Sequence, residues 1–479
     1  MALVKDELQK KLFINGEWRT ASHYKALKAP FDQSILAEIP QATTEETKEA
    51  IDAAHRAIPE MKKLSRYRRS NILGDLVRLL QERRDEAARL IALEAAKPLK
   101  VAEAEVERTI QTYQFAAEEA KRLQGEIIPI DAAPGGEGRM AFTNREPLGV
   151  VGAITPFNFP MNLVAHKVGP AIAAGNPVVL KPASQTPLSA LFLAELLAET
   201  DLPKGALNVV TGSGKIVGDQ LVTDERVKMI TFTGSPEVGV QIRSKAGLKK
   251  VTLELGSNSA VIIDKETDIE KIAVRCVSGA FSYQGQVCIS LQRMFIHESL
   301  YQPFMKLFVE GAKNLKMGDP LDPDTDLSAM ISAEDVKRAK EWVDEARHMG
   351  ASVHGGDVHG QILAPTVIEQ AQHEMKVNCQ EAFAPIVTAS SFTDLKEAIE
   401  RVNDSRYGLQ AGIYTNRIND ALDAADELEV GGVIINDFPT FRVDQMPYGG
   451  VKESGTGREG IKYAIEEMTE SKLVVINRQ

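Results

Sequence analysis

Short apolar runs alternate with helical patterns between residues 150 and 254, and this alternation constrains the fold of the 479-residue chain more than any other feature. The apolar runs are Val150–Ile154, Val178–Leu180, Leu207–Val210, Met229–Phe232 and Val251–Glu254. The helical patterns lie between them, near 163–174, 187–199, 215–221 and 236–243. Such alternation predicts an α/β fold with a parallel sheet that is covered by helices on both faces. Sheets of this kind bind ligands at the carboxyl ends of their strands.

A second alternating region, from about residue 258 to residue 436, predicts a second α/β domain. Its strand candidates include Ala260–Ile263, Met294–His297, Ala411–Thr415 and Val433–Asn436. Two segments fit neither domain: residues 123–145 predict a β-hairpin, and Leu473–Ile476 predicts a terminal strand. Exposed strand edges need a pairing partner, and another subunit could supply one.

The composition argues against several classes of protein. A formal net charge of −11 repels nucleic-acid phosphates, so we expect no nucleic-acid partner. The sequence has no uninterrupted apolar run of about 18 residues, and early charges argue against a signal peptide, so we expect no membrane partner. Three cysteines (Cys276, Cys288 and Cys379) are a poor disulfide framework and fit a reducing cytoplasm. The eight histidines form no metal-ligand cluster, so we expect no metal.

One cysteine lies in a context that suits a nucleophile. Cys288 ends the segment FSYQGQVC, in which Gly285 would let the backbone turn tightly and bring amide groups close to the sulfur. Local donors and the positive ends of dipoles stabilise a thiolate, which is the nucleophilic form. The alternative is a small buried apolar residue, which is the commoner role of a lone cysteine.

Two further polar residues follow strand candidates. Glu254 ends the run VTLE among apolar and small neighbours, and partial burial there would raise its pKa towards that of a general base. Asn158, in ITPFNFP, carries a neutral amide that could stabilise an oxyanion. A strand-end salt bridge for Glu254 and a turn-forming role for Asn158 are the alternatives.

Glycines after two strand candidates suggest a phosphate site. In FTGSPEVG, Gly234 and Ser235 lead into a helix through Pro236, and free amides at a helix N-terminus bind phosphate. Gly212 and Gly214, in TGSGKIVG, form a second pair. Ordinary βα turns also use glycine, so neither pattern is specific alone.

Taken together, these segments resemble the aldehyde dehydrogenase superfamily over nearly the whole chain, from KLFINGEW at 11–18 to the last strand. The motifs that carry the resemblance are PFNFP (156–160), GNPVVLKPAS (175–184), FTGS (232–235), LELGS (253–257), GQVC (285–288), EAFAP (381–385) and PYGGVKESGTGREG (447–460). The resemblance implies a Cys288 nucleophile, a Glu254 general base and an Asn158 oxyanion donor. Cys288 would form a thioester that water then hydrolyses.

The resemblance also implies a bound NADP or NAD. The implied cofactor residues are Thr155, Pro156, Phe157, Lys181, Ser184, Gly214, Phe232, Gly234, Ser235, Leu255, Glu381 and Phe383. Lys181 and Ser184 match positions that hold the adenosine ribose, Ser235 lies by the pyrophosphate, and Glu381 and Phe383 position the nicotinamide half. Many NAD-preferring relatives have a glutamate where this chain has Ser184, so good use of NADP is expected.

The implied fold has a cofactor domain (1–122 and 146–254), a catalytic domain (255–462) and a small β oligomerisation arm (123–145 and 463–479). The hairpin and the terminal strand match this arm, so a homodimer or homotetramer is expected.

The substrate is a small aldehyde whose identity the sequence leaves open. The motifs look most like the lactaldehyde and phosphonoacetaldehyde dehydrogenase branch. Phe159, His166 and Arg442 are the candidate substrate residues. Arg442 could bind an anionic tail or a surface carboxylate, and His166 stands where succinic semialdehyde enzymes have an arginine. The alternatives are a non-phosphorylating glyceraldehyde-3-phosphate dehydrogenase, a CoA-acylating enzyme, which Glu254 argues against, and a structural protein.

Overall fold

Two β-sheets with parallel central strands organise residues 8–478, the part of the chain that this computed structural model describes. Residues 1–7, in the predicted cofactor domain, and residue 479, in the predicted arm, lie outside the described residues. The fold agrees with the predicted α/β class.

The strands are β1 (Leu12–Ile14), β2 (Glu17–Arg19), β3 (Tyr24–Lys28), β4 (Ile35–Pro40), β5 (Ile127–Ile128), β6 (Arg139–Pro147), β7 (Val150–Ile154), β8 (Val178–Lys181), β9 (Leu207–Val209), β10 (Val227–Thr233), β11 (Lys250–Glu254), β12 (Ala260–Ile263), β13 (Arg293–His297), β14 (Ser352–His354), β15 (Val358–His359), β16 (Ile362–Leu363), β17 (Thr366–Glu369), β18 (Ile386–Phe392), β19 (Tyr407–Gly408), β20 (Gln410–Tyr414), β21 (Gly432–Ile435), β22 (Val451–Lys452), β23 (Gly455–Thr456) and β24 (Thr469–Asn477).

The helices are α1 (Thr44–Lys63), α2 (Arg66–Glu82), α3 (Arg84–Ala95), α4 (Leu99–Arg122), α5 (Asn162–Ala174), α6 (Leu188–Ala198), α7 (Asp219–Thr223), α8 (Pro236–Lys245), α9 (Ile269–Phe281), α10 (Glu298–Lys313), α11 (Ala333–His348), α12 (Lys376–Cys379), α13 (Leu395–Asn403), α14 (Ile418–Glu427) and α15 (Ile461–Glu467).

The first sheet has the strand order β2-β1-β9-β8-β7-β10-β11-β23. Its five central strands, β9-β8-β7-β10-β11, are parallel to one another. The apolar runs predicted as strands form this centre. The order reverses between β7 and β10, because consecutive strands lie on opposite sides of β7, and such a switch point is where α/β sheets open a ligand crevice. The edge strand β23 comes from far along the chain and pairs antiparallel with β11.

Helix α5 packs directly after β7 and is buried along its entire length. Ten of its residues are non-polar, so it is a core helix rather than an amphipathic surface helix. The other three are Asn162, His166 and Lys167, and Lys167 places an ammonium group inside this core at 1% exposure. The charge of Lys167 therefore needs a buried partner.

The second sheet has the strand order β14-β17-β18-β13-β12-β20-β21 and is parallel except at β14. The four strand candidates predicted between residues 258 and 436 all belong to it. Helix α9 lies against one face and leads into the segment that carries Cys288. Cys288 therefore lies in the connection between β12 and β13 of the second sheet.

The predicted hairpin and terminal strand form a third, antiparallel sheet with the order β24-β6-β5. The sequence suggested that another subunit could pair with the terminal strand, whereas the structure pairs it within its own chain. It pairs with β6 over nine residues, from Thr469 opposite Pro147 to Asn477 opposite Arg139. The far edge of β24 still carries exposed apolar side chains, with Leu473 at 55% and Val475 at 45% exposure.

Among residues 8–478, no helix is long and apolar enough to span a membrane. Within the same range, no group of three or more His, Cys, Asp and Glu side chains is arranged to hold a metal ion.

Candidate active site

A cavity of about 950 Å³ lies at the carboxyl ends of β7, β8, β10 and β11 and reaches the segment that carries Cys288. Every residue predicted for catalysis or cofactor binding lines it, and so does Arg442. The predicted residues in its lining are Asn158, Glu254, Cys288, Thr155, Pro156, Phe157, Lys181, Ser184, Gly214, Phe232, Gly234, Ser235, Leu255, Glu381 and Phe383. Residues at the carboxyl edge of the first sheet therefore share one site with Cys288, Glu381 and Phe383, which lie in segments between strands of the second sheet.

Two predicted substrate residues are not part of that lining. Phe159 packs edge-on against Tyr283, with the Lys97 ammonium 3.8 Å from the centroid of its ring. His166 is 1% exposed, and its Nε2 lies 2.8 Å from a carboxylate oxygen of Asp444. Phe159 is half-buried in an apolar cluster that includes Tyr283 and Val287.

The segment before Cys288 turns through three consecutive residues in the left-handed region, with φ of 48° at Tyr283, 56° at Gln284 and 67° at Gly285. Only glycine fits at position 285, because a Cβ there would lie 2.1 Å from the Ala384 carbonyl oxygen. For the two non-glycine residues this conformation is strained and must be held by their surroundings.

Side-chain hydrogen bonds to backbone carbonyls at the end of α3 and at Ala329 hold this strained turn. The Tyr283 hydroxyl donates to the Ala95 carbonyl at 3.0 Å. The Gln284 amide donates to the carbonyls of Ala96 at 3.0 Å and Ala329 at 2.7 Å. These contacts fix the backbone that presents the Cys288 sulfur.

The Cys288 sulfur lies 2.8 Å from the Tyr448 hydroxyl. Burial raises the pKa of the thiol to about 11, while the Tyr448 hydrogen bond and the Arg442 charge act in the opposite direction. The thiol is therefore the main form of the sulfur, and Tyr448 and Arg442 are the neighbours that favour the thiolate.

Asn158 is 3% exposed, and its amide donates to the Gln286 carbonyl at 3.0 Å. The second amide hydrogen remains for a substrate oxygen. The backbone carbonyl of Asn158 accepts a 2.6 Å hydrogen bond from the Lys97 ammonium, which also pairs with Glu105. Both charged side chains are fully buried. Glu105 in turn accepts hydrogen bonds from the Met161 and Asn162 amides, so this pair holds the loop that carries Asn158 from two sides.

Glu254 ends β11 at 3% exposure, and neither of its carboxylate oxygens has a hydrogen-bond partner within residues 8–478. Burial raises the pKa of Glu254 well above its ordinary value, and the nearby Glu459 carboxylate raises it further. A buried, unbonded carboxyl group with a raised pKa is suited to accepting a proton from water.

A chain of buried charges continues behind Glu254. The Lys167 ammonium donates to Glu459 at 3.0 Å, and the Arg442 guanidinium donates to the other oxygen of Glu459 at 3.0 Å. Although burial alone would raise it, these two cations hold the pKa of Glu459 below its ordinary value. Glu459 therefore stays ionised beside a carboxyl group that prefers to be neutral.

Arg442 does not pair with a surface carboxylate, because its partner is the buried Glu459. Its guanidinium also lies 3.6 Å from the centroid of the Tyr448 ring and 3.2 Å from His166 Nε2. Its Nε has no hydrogen-bond partner among the described residues and is buried. One N–H of this cation is therefore free for a ligand.

Sequence reasoning assigned no role to four of these residues: Lys97, Lys167, Tyr448 and Glu459. A signal existed for Lys167, which is the only lysine, arginine or acidic residue in an otherwise apolar helix pattern. Tyr448 and Glu459 lie inside the motif PYGGVKESGTGREG, but their contact with Cys288 and Lys167 depends on the fold. Nothing in the sequence near Lys97 indicates that it reaches Asn158.

The far end of the cavity suits a phosphate-bearing ligand. Ser235 caps α8, whose first-turn amides face the cavity edge that Gly234, Ser235 and Glu237 line. The Ser184 hydroxyl donates to the Gly212 carbonyl at 3.3 Å and so does not cap the following helix. Burial lowers the pKa of Lys181 to about 8. Lys215, in the glycine segment TGSGKIVG, is an exposed cation on the same rim.

Between the two ends, Phe157 and Phe383 meet edge to face, with 5.7 Å between their ring centroids. Glu381 accepts a 2.9 Å hydrogen bond from the Ser257 amide, and burial raises its pKa to about 7. Aromatic surface with a few fixed polar groups is typical of a pocket for a flat heterocycle. The residues therefore fit a dinucleotide laid along the cavity towards Cys288.

Known proteins are similar to this chain over nearly its whole length. Residues 18–474 match the model of the aldehyde dehydrogenase family. Over 467 residues, covering 97% of this chain and 98% of the relative, the sequence is 48% identical to 3-sulfolactaldehyde dehydrogenase of Priestia aryabhattai. It is 43% identical to lactaldehyde dehydrogenase of Methanococcus aeolicus over 471 residues, covering 97% and 100%.

Among solved structures, the fold is similar to glyceraldehyde-3-phosphate dehydrogenase GapN of Methanocaldococcus jannaschii complexed with NADP. The TM-score is 0.92 and the identity 42%, and the match covers 95% of this chain and 100% of that one.

Proposed function

Because the chain belongs to the aldehyde dehydrogenase family, we propose that it is an NAD(P)-dependent enzyme that oxidises a short aldehyde to its carboxylic acid through a thioester on Cys288. One observation carries the proposal: Cys288, Asn158 and Glu254 face the same cavity as the residues suited to a dinucleotide.

The first half of the reaction belongs to Cys288 and Asn158. The thiolate attacks the carbonyl carbon, and the Asn158 amide, together with the Cys288 backbone amide, stabilises the oxyanion. A donor of this kind accounts for roughly 3–4 kcal/mol in comparable enzymes. The strained turn and the Lys97–Glu105 pair keep sulfur and donor in register before substrate arrives.

The second half belongs to Glu254. It takes a proton from a water molecule, which then attacks the thioester and releases the acid and the Cys288 thiolate. The carboxylate oxygens of Glu254 have no other hydrogen-bond partner among the described residues and are available to that water. A CoA-acylating enzyme would not need this base, so Glu254 counts against that alternative and, with Cys288 and Asn158, against a purely structural role.

The cofactor would lie between Ser235, Lys181 and Ser184 at the phosphate and ribose end and Phe383 and Glu381 at the nicotinamide end. When bound, the nicotinamide supplies the hydride acceptor. Ser184 puts no negative charge at the ribose, and Lys181 and Lys215 offer positive charge nearby. These features support good use of NADP, with NAD also accepted.

We propose that the substrate is a short 2-hydroxy aldehyde, with or without an anionic group on the third carbon. Lactaldehyde, 3-sulfolactaldehyde and glyceraldehyde 3-phosphate, the compounds in the names of the three relatives, all carry a hydroxyl beside the aldehyde. The free Nε of Arg442 supports recognition of an anionic or hydroxyl group close to Cys288. Glyceraldehyde 3-phosphate, the alternative substrate considered from the sequence, is therefore a member of this class.

Initial rates over lactaldehyde, 3-sulfolactaldehyde, glyceraldehyde 3-phosphate, succinic semialdehyde and an unsubstituted aldehyde, each with NAD and with NADP, test the function. The 2-hydroxy aldehydes should have the highest kcat/KM, and CoA should change nothing. Rates that depend on CoA would replace the hydrolytic mechanism, and equal rates for all aldehydes would reject the substrate class.

The remaining proposals concern assembly and location. The apolar free edge of β24 supports a homodimer or homotetramer, which light scattering of the full chain tests. The three free cysteines fit a cytoplasmic location. We also retain the division into a cofactor domain (1–122 and 146–254), a catalytic domain (255–462) and an arm (123–145 and 463–479).

A further inference from the structure

The hydroxyl of Tyr448 has one hydrogen-bond partner among the described residues, and that partner is the sulfur of Cys288, 2.8 Å away. Tyr448 is 3% exposed, so water does not compete freely for the hydroxyl. An O–H group this close to a nucleophilic sulfur can accept a hydrogen bond from the thiol or donate one to the thiolate.

The position of the hydroxyl is fixed by the backbone and by a stacked cation. The Tyr448 amide donates to the Glu459 carbonyl at 3.0 Å, and the Glu459 amide donates back to the Tyr448 carbonyl at 2.6 Å. Arg442 covers the ring with its guanidinium 3.6 Å from the centroid and is itself held by Glu459. These contacts hold the ring and its hydroxyl beside the sulfur.

We infer that the Tyr448 hydroxyl is a catalytic hydrogen-bond donor that stabilises the Cys288 thiolate before attack and again when the thiolate leaves the thioester. The inference rests on the proposed role of Cys288 as nucleophile. Phenylalanine at this position would fill the same space but leave the sulfur without this donor.

The other charged groups around the sulfur act in opposite directions. The Arg442 cation lowers the pKa of Cys288, whereas the Glu381 and Glu254 carboxyls raise it. Burial raises the pKa of Tyr448 well above its ordinary value, so the phenol keeps its proton and remains a donor. Of these groups, only Tyr448 forms a hydrogen bond to the sulfur.

The test is the pH dependence of Cys288 alkylation by iodoacetamide in the cofactor-free enzyme, with the modified residue located by mass spectrometry because Cys276 and Cys379 are also free. In Tyr448→Phe the thiol pKa should rise by about one pH unit, so alkylation below the pKa should slow roughly tenfold. Tyr448→Leu removes the same hydroxyl with a different shape and should shift the profile in the same direction.

Tyr407→Phe is the matched control, because it removes a hydroxyl from the lining of the same cavity without a contact to the sulfur. An unchanged profile in Tyr448→Phe, or an equal shift in Tyr407→Phe, overturns the inference. The readout needs no aldehyde, so an enzyme that oxidised none of the tested aldehydes would reject the proposed function and leave this result standing by itself.

Discussion

The two walls of the catalytic cavity differ in how their polar groups are bonded. The nucleophile wall, formed by Ala95–Lys97, Asn158 and Tyr283–Cys288, is tied together by hydrogen bonds between three distant segments. The base wall, formed by Lys167, Glu254 and Glu459, has a firm ion pair at its back but leaves Glu254 without any partner among the described residues. Groups that must meet a carbonyl at one angle are fixed, whereas the group that must exchange a proton with water is left unbonded.

Removing the nucleophile of the first wall should have the largest effect on the reaction. Cys288→Ala should reduce aldehyde oxidation below detection, because the thiol makes the only covalent bond to substrate, while cofactor binding persists. Steady-state rates and cofactor fluorescence titration measure the two effects. Cys379→Ala is the control and should keep its rate, and an equal loss there would remove the assignment of Cys288.

Loss of the base should slow the hydrolysis step, which needs the base wall, and leave the earlier steps on the nucleophile wall unchanged. Glu254→Gln should lower steady-state turnover by roughly 10²–10⁴-fold, yet still give a stoichiometric burst of reduced cofactor, because hydride transfer comes before hydrolysis. Rapid-mixing absorbance follows both phases.

In the wild type, only the ionised carboxylate of Glu254 acts as base, and its pKa is raised. Turnover should therefore rise as the pH rises through that pKa, and the Gln variant should lose this dependence. Disappearance of the burst together with turnover would instead mean that Glu254 activates Cys288.

Removing the oxyanion donor should affect the opposite phase. Asn158→Ala should slow the burst itself by about 10²–10³-fold, since the amide acts while the oxyanion forms. The same rapid-mixing experiment measures it. A normal burst followed by slow hydrolysis would mean that Asn158 acts with Glu254 in hydrolysis, and it would contradict the assignment of Asn158 to the nucleophile wall.

The support behind Asn158 should have a smaller effect on rate and a clear one on stability. Lys97→Met leaves the buried Glu105 carboxylate unpaired and should cost about 3–5 kcal/mol of unfolding free energy. It should also slow the burst about tenfold through misplacement of Asn158. Denaturant unfolding and burst rates measure the two.

The double variant Lys97→Met/Glu105→Gln separates positioning from folding. The side-chain carbonyl of the introduced glutamine could still accept the hydrogen bonds of the Met161 and Asn162 amides, so stability should largely return while the burst stays slow. A double variant with both properties restored would show that Lys97 serves folding alone.

The smallest effect is expected far from both walls. Ser184→Glu adds a carboxylate at the ribose end of the cavity and should shift kcat/KM several-fold towards NAD, on the order of 1 kcal/mol. Burst and hydrolysis rates at saturating NAD should not change, so this variant is a reference for the other four. No shift between the cofactors would mean that Ser184 does not set the preference.

Much of the fold could be predicted because the central strands of both sheets are local, nearly continuous apolar runs. Asn158, Glu254 and Ser235 follow such runs directly, and parallel strands bring their carboxyl ends to one edge, so these residues converge without further information. The glycine turn before Cys288 was likewise visible in GQVC.

The rest depends on contacts that no local pattern encodes. Lys97 and Asn158 are 61 positions apart, and Lys167 and Glu459 are 292 apart, so their pairing appears only in the folded chain. The partner of the terminal strand was missed for the same reason. Phe159 lies inside the motif PFNFP and His166 lies shortly after it, but neither residue lines the cavity.

The pairing of β23 with β11 has a consequence for how the protein is made. Leu253 is opposite Thr456 in that pair. The outer edge of β11, the strand that carries Glu254, therefore has no partner strand until roughly 200 further residues have been synthesised. At 5–20 residues per second this interval is about 10–40 s. A nascent chain can therefore assemble the parallel strands of its first sheet long before Glu459 and Tyr448 arrive, and its chemistry can begin only when synthesis is nearly finished.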